Sequence, residues 1–395
     1  MTPRPKLRLH PKHGARIKSG SPWVYSNELT MDRAWKALTP GSLVEIVDDK
    51  GEEFGTAYFN PHSLIAARIL STRPGTKIGT GFFSDRFERA RQLRDMLYAA
   101  PYYRLIHAEA DFCPGLVVDR FDDVLVVQSG TAGMDALEPH WLDALQSAFN
   151  PRAIVIKNNA PARSYEGLKE DVRVALGEIA SLPHVEDAGI RHHIDPILGQ
   201  KTGWFYDQRD NRAFLISLAK DASLLDAFSY TGALALGALN AGAKSAVLLD
   251  TSQAALDGAT QTAREHKMLD RLEFRKCDAL VELEEMAPTG ERYDIVSCDP
   301  PPFVRSRKDL ESGARGYRKL ARLAAPLVAN GGFLSLASCS HAIDAVRFQN
   351  ECAAGIARAG RSAKLIRASG AAPDHPVHPM LPETAYLKSL VYQLD

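Results

Sequence analysis

The chain runs to 395 residues, beyond the size at which one hydrophobic core usually stops growing, so two or three domains are expected. With 45% apolar and 24% charged residues it is neither disordered nor fibrous, and no run reaches the roughly 18 apolar residues of a membrane helix. Basic and acidic residues balance at 48 each, so net charge alone argues for no polyanionic partner.

The N-terminus, MTPRPKLRLHPKHG, lacks the apolar stretch of a secretory signal, and a cytoplasmic location is expected. It is locally basic, with Arg4, Lys6, Arg8, Lys12, Arg16 and Lys18 ahead of the first acid, Glu28. From about 40 to 72 the segments GSLVEIVDD, EEFGTAYFN and SLIAARILS read as short strands of a β-rich module. TKIGTGFFSDRFERARQLRDMLY then has helical periodicity, with Phe87, Ala90, Leu93 and Met96/Leu97 on one face, which puts a boundary near 75. Between 103 and 176, the strands YRLIHAEAD, GLVVDRF, VLVVQS, AIVIKNN and DVRVALG surround one helix, AGMDALEPHWLDALQSAF. That is an α+β unit whose sheet is covered on one face. Beyond 200, LLDAF, SAVLLD, LEFRKC, DIVSCD and GGFLSLAS alternate with helical stretches, the pattern of a doubly wound, mostly parallel sheet. The expected division is 1–75, 76–185 and 186–395.

In such a sheet, ligands bind beyond the C-terminal ends of the strands. The first strand ends in Asp226 and passes through Phe228-Ser229-Tyr230-Thr231-Gly232 into a helix. Gly232 permits close backbone approach there, and the N–H groups of the helix start suit a carboxylate. G-x-G-x-x-G is missing, which argues against a nicotinamide-dependent dehydrogenase. The second strand ends in Asp250, placed to grip the ribose hydroxyls of a nucleoside cofactor, and the third in Cys277-Asp278, whose acid suits an adenine amino group. Each acid taken alone is equally a helix N-cap; three at successive strand ends favour the cofactor. The fourth strand ends in Asp299-Pro300-Pro301-Pro302-Phe303, a stiff loop suited to holding a carboxylate and a ring against a nucleobase. Arg305, Arg307, Lys308, Arg315, Arg318, Lys319 and Arg322 follow as a second basic cluster. The fifth strand ends at Cys339-Ser340-His341 and is expected beside the fourth.

Five scattered cysteines, without CxxC pairs, indicate reduced thiols. Cys277, Cys298 and Cys352 read as small hydrophobes, whereas Cys339 is placed as a nucleophile. Carbon-5 of a pyrimidine is too weakly nucleophilic to take a methyl group directly. Attack of a cysteine on carbon-6 turns carbon-5 into an enamine-like carbon that does so. Asp299 then holds N3 or the exocyclic amine of the base, and His341 is a candidate for removing the carbon-5 proton.

The chain resembles ribosomal RNA large-subunit methyltransferases with an N-terminal PUA domain, whose best-characterised members make 5-methylcytosine in 23S rRNA. Gly14-Ala15-Arg16, Ser21-Pro22-Trp23-Val24-Tyr25 and Tyr58-Phe59-Asn60-Pro61-His62-Ser63 resemble the PUA module. Ala108 to Asp111 and Pro114 to Arg120 resemble the central domain. Gly199-Gln200-Lys201-Thr202-Gly203-Trp204-Phe205-Tyr206-Asp207-Gln208-Arg209 resembles the entrance to the catalytic domain. Tyr230-Thr231-Gly232, Asp299-Pro300-Pro301, Arg305 to Leu310, Ser338-Cys339-Ser340, Asp374-His375-Pro376 and Pro382 to Lys388 complete the order. Ala233, His266 and Ala337 depart from residues common at those positions; the last leaves Cys339 as the one thiol of its loop.

The resemblance implies an α/β protein with a C-terminal Rossmann-like class I methyltransferase domain, an N-terminal PUA domain and a central α+β domain. It implies an S-adenosylmethionine site of Gln200, Phe228, Tyr230, Thr231, Gly232, Asp250, Asp278 and Asp299, with Cys339 and Asp299 catalytic. Arg16, Lys18, Trp23, Phe303, Arg305, Arg307 and Lys308 are the expected RNA contacts, and no metal is expected. The implied partner is 23S ribosomal RNA, and a homodimer is compatible with the family. Methylation of an exocyclic amine and a non-catalytic RNA-binding or assembly role are the competing readings.

Overall fold

The computed structural model describes residues 3–11, 13–30 and 32–395, so Lys12 of the first basic cluster lies outside the described residues. The chain divides into two compact units. Unit 1 takes residues 1–183, 194–204 and 374–382; unit 2 takes 184–193, 205–373 and 383–395.

Unit 1 holds two five-stranded sheets. In the first, Lys6–Arg8, Trp23–Val24, Ser42–Val47, Glu53–Phe59 and Ala67–Ser71, numbered in that order, lie as 1-3-4-5-2. Apolar residues two apart, such as Leu7 and Leu9, Val44 and Ile46, and Ala57 and Phe59, face one buried cluster. The second sheet runs in simple chain order through Tyr102–His107, Leu116–Phe121, Val124–Ser129, Ala153–Asn158 and Asp171–Gly177. Helix Thr80–Leu97 covers it with Phe83, Phe87 and Ala90. The single helix expected over 132–149 is in fact two, Ala132–Ala136 and Glu138–Phe149. Pro139 has no N–H to continue the first helix and stands in the opening turn of the second, where none is needed.

The segments 194–204 and 374–382 are tied into unit 1 by buried polar contacts. Arg94, fully buried, forks onto Asp111 at 2.6 and 2.7 Å and also donates to the Asp374 carbonyl at 2.9 Å. Thr202 bonds to the buried Asp119, and the Lys157 ammonium to the Gly199 carbonyl.

Unit 2 is built on one seven-stranded sheet with order 3-2-1-4-5-7-6, counting Ser223–Ala227, Ser245–Asp250, Leu272–Lys276, Tyr293–Cys298, Val328–Ser338, Ala363–Ser369 and Lys388–Leu394. The first five are parallel, and the seventh runs antiparallel to both its neighbours. Helices Leu310–Ala324 and Ala345–Arg358 pack on one face, and helices Arg209–Ser217, Ala233–Asn240 and Gln253–Glu265 on the other. Strands 6 and 7 add to the five read from sequence; strand 6, AKLIRAS, is an exposed edge without clear alternation. Among the described residues no helix is long and apolar enough to cross a membrane.

Candidate active site

The C-terminal ends of strands 1, 2, 4 and 5 of unit 2 carry most of the residues singled out from sequence. Strand 1 leaves the sheet through a strained loop in which Phe228, Tyr230 and Gly232 have φ of +63°, +50° and +69°. Left-handed aromatic residues are costly, and such strain persists where the surroundings enforce it. Part of that enforcement comes from Asp250. Its Oδ2 accepts the Tyr230 N–H and its Oδ1 the Ser252 N–H, both at 2.8 Å. Gly232 is required twice over. Besides its φ, a Cβ there would sit 2.6 Å from Leu248 Cδ2.

The buried Ser229 and Thr231 hydroxyls of this loop have no hydrogen-bond partner among the described residues. Uncompensated buried hydroxyls are uncommon, and a bound water or ligand can complete their bonding. Beneath the loop Asp226 accepts a hydrogen bond from the Ala235 N–H. Burial, then the neighbouring Asp299 carboxylate, pushes its pKa up to about 8, so it holds its proton at neutral pH. Asp278 caps helix Ala279–Met286, accepting from Leu280 N at 2.9 Å and Val281 N at 3.3 Å.

Asp299 is oriented from behind. Gln208 Nε2 donates to its Oδ2 at 2.8 Å, and Gln208 Oε1 accepts from Asn211 Nδ2 at 2.7 Å. Asn211 is fixed in turn by Ser369, whose hydroxyl donates to Asn211 Oδ1 at 2.8 Å. The loop from Pro300 to Val304 packs on helix Leu310–Ala324, where Gly313 makes room; a Cβ there would lie 2.5 Å from the Phe303 carbonyl oxygen. The Phe303 ring rests against Tyr317 at 4.9 Å between centroids.

Strand 5 runs parallel beside strand 4, as expected, with Cys298 opposite Leu336. The Tyr317 hydroxyl links the loops that follow them. It lies 2.7 Å from Ser338 Oγ and 2.8 Å from Ser340 Oγ, and it accepts the Phe303 N–H at 3.4 Å. Cys339 is thus held between two anchored serines and is itself partly exposed. Lys388, paired across the sheet with Ser338, donates from Nζ to the Ser340 carbonyl at 2.6 Å and the Tyr386 carbonyl at 2.9 Å. Burial lowers its pKa, while Cys339 and Asp344 favour its charged form. By contrast, burial raises the thiols of Cys298 and Cys352, which pack as small hydrophobes.

A family of S-adenosylmethionine-dependent methyltransferases matches residues 172–393, and a PUA-like domain matches 7–72. This chain belongs to that methyltransferase family. Full-length relatives agree. Ribosomal RNA large subunit methyltransferase I of Aliivibrio fischeri is 36% identical over 377 residues, covering 94% of this chain and 95% of its own. The protein of the same name from Pseudoalteromonas atlantica is 33% identical over 394 residues, 98% of each chain. In fold, a SAM-dependent methyltransferase from Streptococcus mutans superposes with TM-score 0.82 at 18% identity, covering 98% of this chain and 100% of that one. Another methyltransferase, solved with SAH bound, gives 0.84 at the same identity and coverage.

The strained loop and its two buried hydroxyls stand at the ends of strands 1 and 2, the side of the sheet on which ligands bind in doubly wound folds. Of the residues anticipated there, Phe228, Tyr230, Thr231, Gly232, Asp250, Asp278 and Asp299 belong to unit 2, whereas Gln200 lies in the 194–204 segment of unit 1. Gln208, Tyr317 and Lys388 complete the surroundings of Asp299 and Cys339 and have no individual role in the sequence reading. Only Gln208 and Lys388 carried a signal, as members of resembling motifs.

The basic residues differ in their surroundings. Arg4, Lys6 and Lys18 pair with Glu45, Glu53 and Glu52, at 2.8, 2.7 and 3.4 Å. Arg16 lies over the Tyr25 ring. The acids missing from the first 27 residues come from strands 3 and 4 of the first sheet of unit 1 and the turn between them. Trp23 donates from its indole to Glu109 Oε1 at 2.8 Å, a contact that braces unit 1 internally. In the second cluster Arg318 and Lys319 pair with Glu351 and Glu284, while Arg305, Arg307 and Lys308 are exposed.

Proposed function

We propose that this methyltransferase transfers a methyl group to carbon-5 of a cytosine in 23S ribosomal RNA, in the cytoplasm, through a transient bond from Cys339. The observation that carries the reading is the Ser338-Cys339-Ser340 turn on the strand next to Asp299, tied to the Phe303 loop through the Tyr317 hydroxyl. The large-subunit RNA comes from the relatives' names and from alignment over nearly all of both chains.

In this scheme Asp299 accepts a hydrogen bond from the cytosine amine and holds the ring flat against Phe303. The Cys339 thiolate adds to carbon-6, and the displaced π-electron pair makes carbon-5 the nucleophile. S-adenosylmethionine supplies the electrophilic methyl. Loss of the carbon-5 proton then returns an electron pair to the ring and expels the Cys339 thiolate. His341 is the base we assign: its Nδ1 faces the Glu383 carbonyl at 3.4 Å, which favours the tautomer with a basic Nε2. Lys388 provides positive charge beside the Cys339 turn. Gln208 holds Asp299 in place as a positioning residue.

The test is mass spectrometry of nucleosides from 23S RNA of a strain lacking the gene, before and after complementation. One missing 5-methylcytidine, restored by the wild-type chain, is the expected result. A missing N4-methylcytidine or N6-methyladenosine would replace this reading with exocyclic-amine methylation.

A further inference from the structure

Unit 1 contains a groove of about 500 Å³ that the methyl-transfer chemistry does not use. It runs between the PUA-like sheet, at Ile69 to Thr72, and the start of helix Thr80–Leu97. Three arginines, Arg73, Arg86 and Arg89, line it against one acid, Asp85, together with the rings of Phe82, Phe112 and His378. Arg73 and Arg89 are exposed and form no ion pair among the described residues. Arg86 sits over Phe82, its Cζ 3.4 Å from the ring centroid, and donates to the carbonyls of Leu70 at 2.7 Å and Phe112 at 2.9 Å. Its charge is therefore held by carbonyl dipoles, and burial lowers its pKa; an anion in the groove would balance it.

Phe112 is the second observation. It is 61% exposed with φ of +56°, so a large apolar ring is kept in water on a strained backbone. Its neighbour Asp111 is locked by the two hydrogen bonds from Arg94, which leaves the strained residue little freedom to relax. The ring meets His378 edge-on at 6.2 Å. Cations flanking presented aromatic faces, in a space large enough for a nucleotide, are the chemistry of single-stranded nucleic acid.

We infer that this groove binds a nucleotide of single-stranded RNA, its base stacked on Phe112 with His378 at its edge and its phosphates against Arg73 and Arg89. The inference rests on the RNA reading above and supplies an anchoring point away from the methylated base. Fluorescence anisotropy of the full chain with labelled single-stranded RNA, over a range of salt, tests it. Phe112→Ala should weaken binding roughly tenfold with the salt slope kept, and Phe112→Tyr should restore it. Arg73→Ala with Arg89→Ala should weaken binding and flatten the log–log salt slope by about 1.4, at roughly 0.7 per phosphate contact. S-adenosylmethionine binding, measured by calorimetry, should stay at the wild-type value in all three. If wild type binds the RNA and Phe112→Ala binds within twofold of it, the groove assignment falls while the RNA reading stands. Competition by inorganic phosphate as effective as that by RNA would also overturn it. If the wild-type chain binds no RNA, the RNA reading falls with it.

Discussion

Gln208 Nε2 donates to Asp299 Oδ2 at 2.8 Å, and this bond gives the acid of the Asp-Pro-Pro-Pro loop a fixed orientation. The proline-rich loop limits backbone motion but leaves the Asp299 side chain free to rotate. The amide, held by Asn211, removes that freedom. Gln208→Leu should lower kcat on the order of tenfold or more, with S-adenosylmethionine affinity changed by less than about threefold. Stopped turnover assays alongside calorimetry separate the two, and an unchanged kcat would show that Asp299 needs no such support.

Cys339→Ala should abolish methyl transfer while leaving cofactor binding and thermal stability close to wild type. Activity near wild type would assign the methyl group to an amine instead of a ring carbon. A trapped complex with RNA containing 5-fluorocytosine, present in the wild type and absent from Cys339→Ala, is the matching positive result. The fluorine at carbon-5 blocks the elimination that frees the thiolate.

Lys388→Met should slow iodoacetamide alkylation of Cys339 at pH 7 by several-fold, on the order expected for losing one cation near a thiolate. The sign follows from charge: an ammonium favours the thiolate, so its removal shifts the thiol to higher pKa. Lys388→Arg should recover most of the rate. Equal rates in the wild type and Lys388→Met would limit Lys388 to its two carbonyl bonds.

Tyr317→Phe deletes the hydroxyl shared by Ser338, Ser340 and the Phe303 N–H. Leaving these buried groups short of a partner should cost about 1–3 kcal/mol in urea unfolding. Turnover should fall further than stability alone explains, because the Asp299 and Cys339 loops lose their common tie. A variant with wild-type kcat would remove that tie from the mechanism.

Asp226 makes stability depend on pH with a defined sign. Its pKa rises from 3.8 in the unfolded chain to about 8 in the folded one. Between those values the unfolded chain has released a proton that the folded chain retains, so the Asp226 contribution to stability falls as pH rises. The loss is absent below pH 4 and complete above about 8. Asp226→Asn carries no such proton and should gain in Tm over wild type progressively from pH 4 to 8. A difference that does not vary with pH would refute the buried neutral acid.

Much of this protein could be read directly from its residues. The alternation of apolar strands and helices beyond residue 200 indicates a parallel sheet because the side-chain period is a local property. The acids Asp226, Asp250, Asp278 and Asp299 and the thiol of Cys339 are visible because each lies at or just beyond the end of a strand. Pro139, by contrast, divides a helix that periodicity alone draws as continuous. What only the tertiary structure decided are pairings between distant segments. Glu45, Glu52 and Glu53 pair with three cations of a run that looks acid-free in one dimension, and Gln208 reaches Asp299 across 91 positions. Tyr317 joins two loops because its helix packs under both, and Phe112 becomes a presented ring only where a locked neighbour holds its backbone left-handed. Burial, charge balance and backbone strain depend on which atoms meet through space, and sequence spacing alone does not carry that information.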